Sequence, residues 1–259
     1  MFHYVKNLIQ SLFRDDQLSE AKVPDGVRLY AVGDIHGRDD LLEQLLTKIE
    51  KDAASKTAAT NVIVFLGDYV DRGLQSREVL NRLIAGPPTG FEAVYLKGNH
   101  EEALLQFLVD AQFAKTWKYY GGLETLHSYN VTELTLSDDP VAFERARDKF
   151  ETVLPSDHRA FLEKLSISTT FGDYFFAHAG VRPGIGLGRQ SEHDLMWIRD
   201  DFLSSRANFG KIVVHGHTPR EAVEFRPNRI GIDTGAYMTN VLTALVLEGS
   251  ERVLLQTDG

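Results

Sequence analysis

Three times in the first hundred residues a short apolar run ends at or near a glycine and is followed by polar, ligand-type side chains. The first run is residues 27–33, Val-Arg-Leu-Tyr-Ala-Val-Gly. Leu41, Leu42, Leu45, Leu46 and Ile49 come next at intervals of one, three and four, which predicts a helix over residues 39–51. A loop rich in Ala, Ser, Lys and Thr covers about Asp52 to Thr60. The second run is Val62-Ile63-Val64-Phe65-Leu66, ending at Gly67. Helical spacing returns from about Ser76 to Ile84 and stops at the breaker Gly86-Pro87-Pro88. The third run, Ala93-Val94-Tyr95-Leu96, ends near Gly98. Strand, loop and helical stretch in this order predict an α/β half with a largely parallel sheet.

Residues 101–165 lack a strand pattern and read as mostly helical, broken at Gly121-Gly122 and between Ser137 and Pro140. This predicts a helical lobe inserted into a single domain spanning 1–259. From Ile167 onward the short apolar runs 173–177, 211–215, 229–232 and 242–247 predict a second sheet. At the N-terminus, Phe2, Val5, Leu8, Ile9, Leu12 and Phe13 share one helix face, which predicts a helix packed on the body.

Composition narrows the chemistry. The 259 residues are 43% hydrophobic and 25% charged, ordinary for a globular protein. The net charge of −9 argues against a nucleic-acid binder, which needs a basic face. Phosphate binding survives that argument, because bound metal ions dominate their local field. There is no cysteine, which removes disulfides, thiolate zinc sites and a cysteine nucleophile. No apolar run is long enough to span a membrane and the first twelve residues are too polar for a signal peptide, so the expected location is cytoplasmic.

The polar residues beyond the apolar runs form five motifs: Gly33-Asp34-Ile35-His36-Gly37, Gly67-Asp68-Tyr69-Val70-Asp71-Arg72-Gly73, Gly98-Asn99-His100-Glu101, His178-Ala179-Gly180 and Gly216-His217-Thr218. Carboxylates, an amide and imidazoles are a suitable ligand set for two close divalent ions. In an extended segment Asp34 and His36 point the same way and can meet one ion. Asp68 has two oxygens and is the natural bridging ligand. Asn99 can offer an amide oxygen. His178 and His217 each read alone as core histidines. However, four of the nine histidines lie in these motifs and His215 adjoins one, which favours ligation. His100 is placed to protonate a leaving group, with Asp71 to orient it. Arg72 can grip phosphate oxygens with its planar fork, against the alternative of a surface ion pair. Arg199 is evenly balanced between a second phosphate clamp and an exposed helix arginine. His215 is expected behind the ligands, and Asp233-Thr234-Gly235 as a turn. Arg182 and Tyr119 are weaker candidates.

The ordered motif set resembles the phosphoprotein phosphatase family, within the calcineurin-like metallophosphoesterases, over about Val32 to Gly235. The resemblance implies two packed mixed β-sheets flanked by helices, an α/β fold with a dimetal site at the sheet edge. By matching position it implies Asp34, His36 and Asp68 at one metal and Asp68, Asn99, His178 and His217 at the other. His100 with Asp71 would be the acid pair, and Arg72, less surely Arg199, would bind phosphate. His217 is followed by Thr218-Pro219, with no second histidine two residues on. That departs from the nuclease and phosphodiesterase branches.

The implied function is a manganese-dependent phosphatase, with iron or zinc also admitted by the ligands, in which a metal-bridging hydroxide attacks phosphorus directly. Its implied substrates are phosphoserine and phosphothreonine, extending to phosphotyrosine and phosphorylated small molecules. The alternative from the same resemblance is a symmetrical diadenosine tetraphosphate hydrolase. A third reading, a non-catalytic binding protein on a decayed phosphatase fold, is disfavoured because every expected ligand and His100 are present.

Overall fold

The chain builds two five-stranded mixed sheets, the first parallel at one edge and antiparallel at the other, the second with a parallel centre and antiparallel edges. This architecture comes from a computed structural model that describes residues 20–55, 58, 60–136 and 138–258. Strands β1 (Val27–Val32), β2 (Thr60–Phe65) and β3 (Phe91–Tyr95) are parallel neighbours, as the sequence predicts. Then β4 (Ser168–Phe171), β5 (Tyr174–Ala177), β6 (Ile212–His215), β7 (Glu224–Arg226) and β8 (Arg229–Gly231) form the second sheet in the order β4-β5-β6-β8-β7. Finally β9 (Thr243–Glu248) and β10 (Glu251–Gln256) return to the first sheet, giving the order β10-β9-β1-β2-β3.

That return corrects one expectation. The run 242–247 was expected in the second sheet, but β9 pairs antiparallel with β1, matching Leu29 to Leu247 and Ala31 to Leu245. A strand buried on both faces fits the middle of either sheet, so its local pattern does not choose the partner. The predicted N-terminal helix lies outside the described residues.

Strand alternation separates the layers. Leu29 and Ala31 of β1, Val62 and Val64 of β2, and Leu245 and Leu247 of β9 meet Tyr174, Phe176, Val214 and Ile230 of the second sheet in one buried cluster. The intervening residues Tyr30, Val32, Ile63 and Phe65 turn outward to helices α1 (Asp39–Ala54) and α2 (Ser76–Ala85). Helix α1 buries Leu41, Leu42, Leu45 and Ile49, the face its spacing predicts.

The segment expected to be helical supplies α3 (Asn99–Val109), α4 (Ala114–Trp117), α5 (Gly122–Ser128), α6 (Pro140–Val153) and α7 (Ser156–Glu163). Its Phe107, Trp117, Leu126, Phe143 and Phe150 share the cluster that holds Tyr30 and Phe65, so these helices extend the cover of the first sheet. On the far side of the second sheet, α8 (Glu192–Trp197) and α9 (Asp200–Leu203) bring Leu195 and Phe202 onto Phe175 and Val213. A third short helix, α10 (Ala236–Thr239), precedes β9. Among the described residues no helix is long and apolar enough to cross a membrane.

Candidate metal centre and active site

All five motifs lie at or just beyond the carboxyl ends of β1, β2, β3, β5 and β6, the edge where open α/β sheets collect ligands. The chain must turn sharply there, and it does so with non-glycine residues in the left-handed region. Among the described residues seven take positive φ: His36 (47°), Asp68 (53°), Asp71 (72°), Arg72 (68°), His217 (66°), Asn130 and Asn240. The two asparagines tolerate that region; the other five all belong to the motifs. Strain of this kind costs about 1–3 kcal/mol per residue and collects at functional sites. It also corrects the extended geometry expected for Asp34 and His36. Glycine permits the close approaches: a Cβ on Gly98 would fall 2.1 Å from Asp68 Oδ1.

Two groups of ligand atoms converge. His36, Asp68 and His100 present atoms within 4.8 Å of one another, and so do Asp68, His178 and His217. Asp68 is common to both, with Oδ2 at 3.5 Å from His36 Nε2 and Oδ1 at 3.3 Å from His178 Nε2. Asn99 Oδ1 joins the second group, 3.0 Å from His178 Nε2 and 2.8 Å from His217 Nδ1. Backbone carbonyls set two of the ring tautomers. His36 Nδ1 faces Val70 O at 3.0 Å and His178 Nδ1 faces Leu66 O at 2.9 Å. A carbonyl only accepts, so each Nδ1 carries the proton and each Nε2 keeps its lone pair for an ion. Asp34, expected as a ligand beside His36, stands in neither group, although it is buried and close enough to Asp68 to feel its charge. Its Oδ2 accepts the His217 backbone N–H at 2.9 Å, and its buried Oδ1 has no partner among the described residues.

The electrostatics suit cations. Burial pushes the Asp34 carboxyl well above its usual range, and the nearby Asp233 and Asp68 push it further. Burial likewise raises Glu101 to about 7 and Asp233 to about 6. Burial opposes charge on Asp68 too, but His178, His100 and His36 hold its carboxyl well below the ordinary range. His36 falls to about 3 and His217 to about 2, mainly by burial, so both rings are neutral and ligand-ready. A buried set of carboxylates with an unpartnered oxygen and several imidazole lone pairs is costly alone and is relieved by divalent ions. The residues therefore fit a metal pair.

Beside this cluster His100 Nδ1 bonds Asp71 Oδ2 at 2.7 Å, while its Nε2 lies 3.8 Å from Asp68 Oδ2. Burial works against the imidazolium, yet Asp68 and Asp71 together raise His100 above its ordinary value. Asp71 is fully buried and further satisfied by Trp117 Nε1–H at 2.9 Å and the Thr125 hydroxyl at 2.6 Å. Arg72 lies over the Tyr237 ring at 4.6 Å and bonds its hydroxyl, and the Arg72 N–H donates to Gly121 O. Arg199 is exposed, near enough that its charge helps to lower His217.

The remaining candidates sort clearly. His215 ends β6 buried against Phe202 and stands in neither ligand group; burial lowers it to about 4. Asp233 does form the expected turn, accepting the Gly235 N–H at 2.9 Å, but its charge also bears directly on Asp34. Arg182 is engaged by Asp194 and Asp201 at the surface. Tyr119 is 67% exposed.

Four supporting residues escaped sequence reasoning. Glu101 accepts backbone N–H groups from Asp68, Tyr69, Val70 and Gly98, at 2.9, 2.7, 3.3 and 2.9 Å. Its place in the Gly98-Asn99-His100-Glu101 motif was the available signal. Trp117, Thr125 and Tyr237 lie 46, 54 and 165 residues from their partners, and nothing local marks them.

Known proteins resemble this chain over most of its length. The chain is 30% identical over 231 residues to the asymmetrical bis(5'-nucleosyl)-tetraphosphatase PrpE of Bacillus subtilis, covering 82% of this chain and 87% of that protein. It is 26% identical over 223 residues to serine/threonine-protein phosphatase 2 of Salmonella typhimurium, covering 83% and 90%. The structure of a protein serine/threonine phosphatase from Saccharomyces cerevisiae superposes with a TM-score of 0.56 at 17% identity, covering 99% and 90%, a likeness of fold. Residues 27–239 match the family model described as calcineurin-like phosphoesterase. With that match spanning most of its length, and its motif residues gathered on one sheet edge, the chain belongs to the calcineurin-like phosphoesterase family.

Proposed function

We propose that this chain hydrolyses phosphate monoesters by direct attack of water on phosphorus, with phosphoserine and phosphothreonine as substrates. Asp34, His36 and Asp68 hold one divalent ion; Asp68, Asn99, His178 and His217 hold the second, and manganese is the metal we assign. Bound there, such ions activate water and neutralise charge on the transferring phosphoryl group. The protein supplies the rest. Arg72 and Arg199 grip non-bridging oxygens and fix the phosphate for in-line attack. His100 gives its Nε2 proton to the departing ester oxygen as the P–O bond breaks, and Asp71 keeps that imidazole charged and oriented. Water and ester become alcohol and inorganic phosphate, with no phosphoenzyme.

The observation that carries this reading is the His100–Asp71 pair. It is buried, bonded at 2.7 Å, and set against the carboxylate common to both ligand groups. A second reading is favoured by the long alignment with PrpE: cleavage of dinucleoside tetraphosphates at the same site. That relative's name is asymmetrical, so the expected products are ATP and AMP and not two ADP. The test follows phosphate release from a phosphoserine peptide and nucleotide release from diadenosine tetraphosphate, using one manganese-loaded preparation. Preference for the peptide supports the first reading and preference for the dinucleotide the second. Turnover of neither refutes both.

A further inference from the structure

Two aromatic side chains at the rim of the site are used neither by the ligand groups nor by the acid pair. The Tyr120 ring lies 6.2 Å from the His100 ring. The Trp197 ring lies 6.3 Å from Tyr120, the two planes inclined at 57°. Both are only half-buried. Neither is loosely held. Trp197 Nε1–H donates to the Glu102 carboxylate at 2.5 Å, and Glu102 is two residues from His100 on α3. Next to Tyr120, Gly121 accepts the Arg72 N–H at 3.2 Å and leaves no room for a side chain, a Cβ there falling 2.4 Å from Arg72 N. With His193 stacked on Trp197 at 6.1 Å, these half-buried rings beside His100 form an aromatic surface on which a further ring can stack.

We infer that Tyr120 and Trp197 bind the base of a nucleotide substrate whose phosphates enter the metal site beside His100. This inference rests on the second, nucleotide-cleaving reading above and names the residues that hold the base. A base laid on one ring meets the other at an inclination, an arrangement aromatic groups prefer over a face-to-face sandwich. At 6.2 Å the His100 and Tyr120 rings are within the range of edge-on aromatic contact, so a base on Tyr120 lies one ring away from the imidazole. A phosphoserine leaving group has no ring to cover the pair. Arg199 follows Trp197 by two residues and is exposed, so a phosphate chain could meet it as well as Arg72.

Calorimetric binding of AMP and of ribose 5-phosphate to the manganese-loaded protein, each as the phosphonate whose ester oxygen is replaced by methylene so that it cannot be hydrolysed, isolates the base. Stacking predicts that AMP binds about tenfold tighter, and that it quenches the fluorescence of Trp197. Trp197→Ala and, as an independent variant should that one fail to fold, Tyr120→Ala bring the two affinities together; Trp197→Phe keeps a ring and most of the preference. Equal affinities for AMP and ribose 5-phosphate in the unaltered protein overturn the inference, even if phosphate esters are hydrolysed quickly. So does binding of a phosphotyrosine peptide that depends on Tyr120 and Trp197 when AMP binding does not. Turnover is judged separately: AMP preference without hydrolysis of any phosphate ester refutes the catalytic reading and leaves the base site supported.

Discussion

Replacing Asp71 with asparagine removes one negative charge from the His100 pair and disturbs little else. Asp71 Oδ2 receives His100 Nδ1–H at 2.7 Å and Trp117 Nε1–H at 2.9 Å, and an asparagine oxygen in that position keeps both bonds. The amide nitrogen then takes the place of Oδ1 and meets the Thr125 hydroxyl, 2.6 Å away, which can rotate to accept. The fold should survive. A hydrogen bond to a charged partner is worth about 1.5–3 kcal/mol and a neutral one about 0.5–1.5. The difference, on the order of 1–2 kcal/mol, lowers the pKa of His100 by about one unit.

The sign follows from the role. In the proposed role His100 donates a proton, so activity should be lost as pH rises through its pKa. Asp68 and Asp71 overcome burial and raise that pKa, which carries the alkaline limb upward. Asp71→Asn brings the limb down by about one pH unit, and on the limb the variant runs about tenfold slower. The assay is kcat/KM against pH with phenyl phosphate and with p-nitrophenyl phosphate. Nitrophenolate leaves without needing a proton, so its profile should move much less. An unmoved limb with phenyl phosphate, or equal losses on both substrates, would refute the assignment of His100 as the acid.

Stripping divalent ions with a chelator should lower the thermal midpoint by about 5–10 °C, since ligand at a hundred times its Kd stabilises by about 2.7 kcal/mol and each kcal/mol shifts a domain of this size by about 2–4 °C. A midpoint indifferent to chelator and to added manganese would count against ion binding. Asp68→Asn should abolish hydrolysis and reduce bound metal per chain, measured by elemental analysis; full activity would sink the ligand assignment. Gly121→Ala forces a side chain into φ +102° and against Arg72, so about 1–3 kcal/mol of stability should be lost and KM for phosphate esters should rise. An unchanged urea midpoint and KM would show that this loop does not set Arg72.

That the five motifs would converge was legible because each follows an apolar run closed by a tight turn. Asp34, Asp68, Asn99, His178 and His217 all stand at or beyond the carboxyl end of a strand, and strand direction places those ends together. What stayed hidden depends on contacts distant in sequence. Trp117 sits in an apolar helical pattern and reads as core, which it also is; that its indole N–H faces Asp71 is decided by how α4 docks. Tyr237 lies in a four-residue helix with no periodicity to read. The pairing of β9 with β1 was lost for the same reason, because burial on both faces erases the alternation that would identify a partner.

Glu101 connects the strain to the chemistry. Three consecutive backbone N–H groups, Asp68 to Val70, point at its carboxylate, and a fourth comes from Gly98. At Asp68 the backbone is left-handed and β2 has ended, so no sheet ladder satisfies these donors. The carboxylate replaces the ladder and clamps the turn from behind, leaving the Asp68 side chain to face His36, His100 and His178. The second ligand group needs one condition more, because His178 and His217 come from the other sheet. The spacing of that sheet from Asp68 and Asn99 is set by the buried layer of Val64, Leu66, Phe176 and Val214 between them. Interiors packed at crystal density transmit changes of a single methylene. Substitutions in that layer, remote from any ligand atom, should therefore alter metal affinity at the second group before they alter the overall fold.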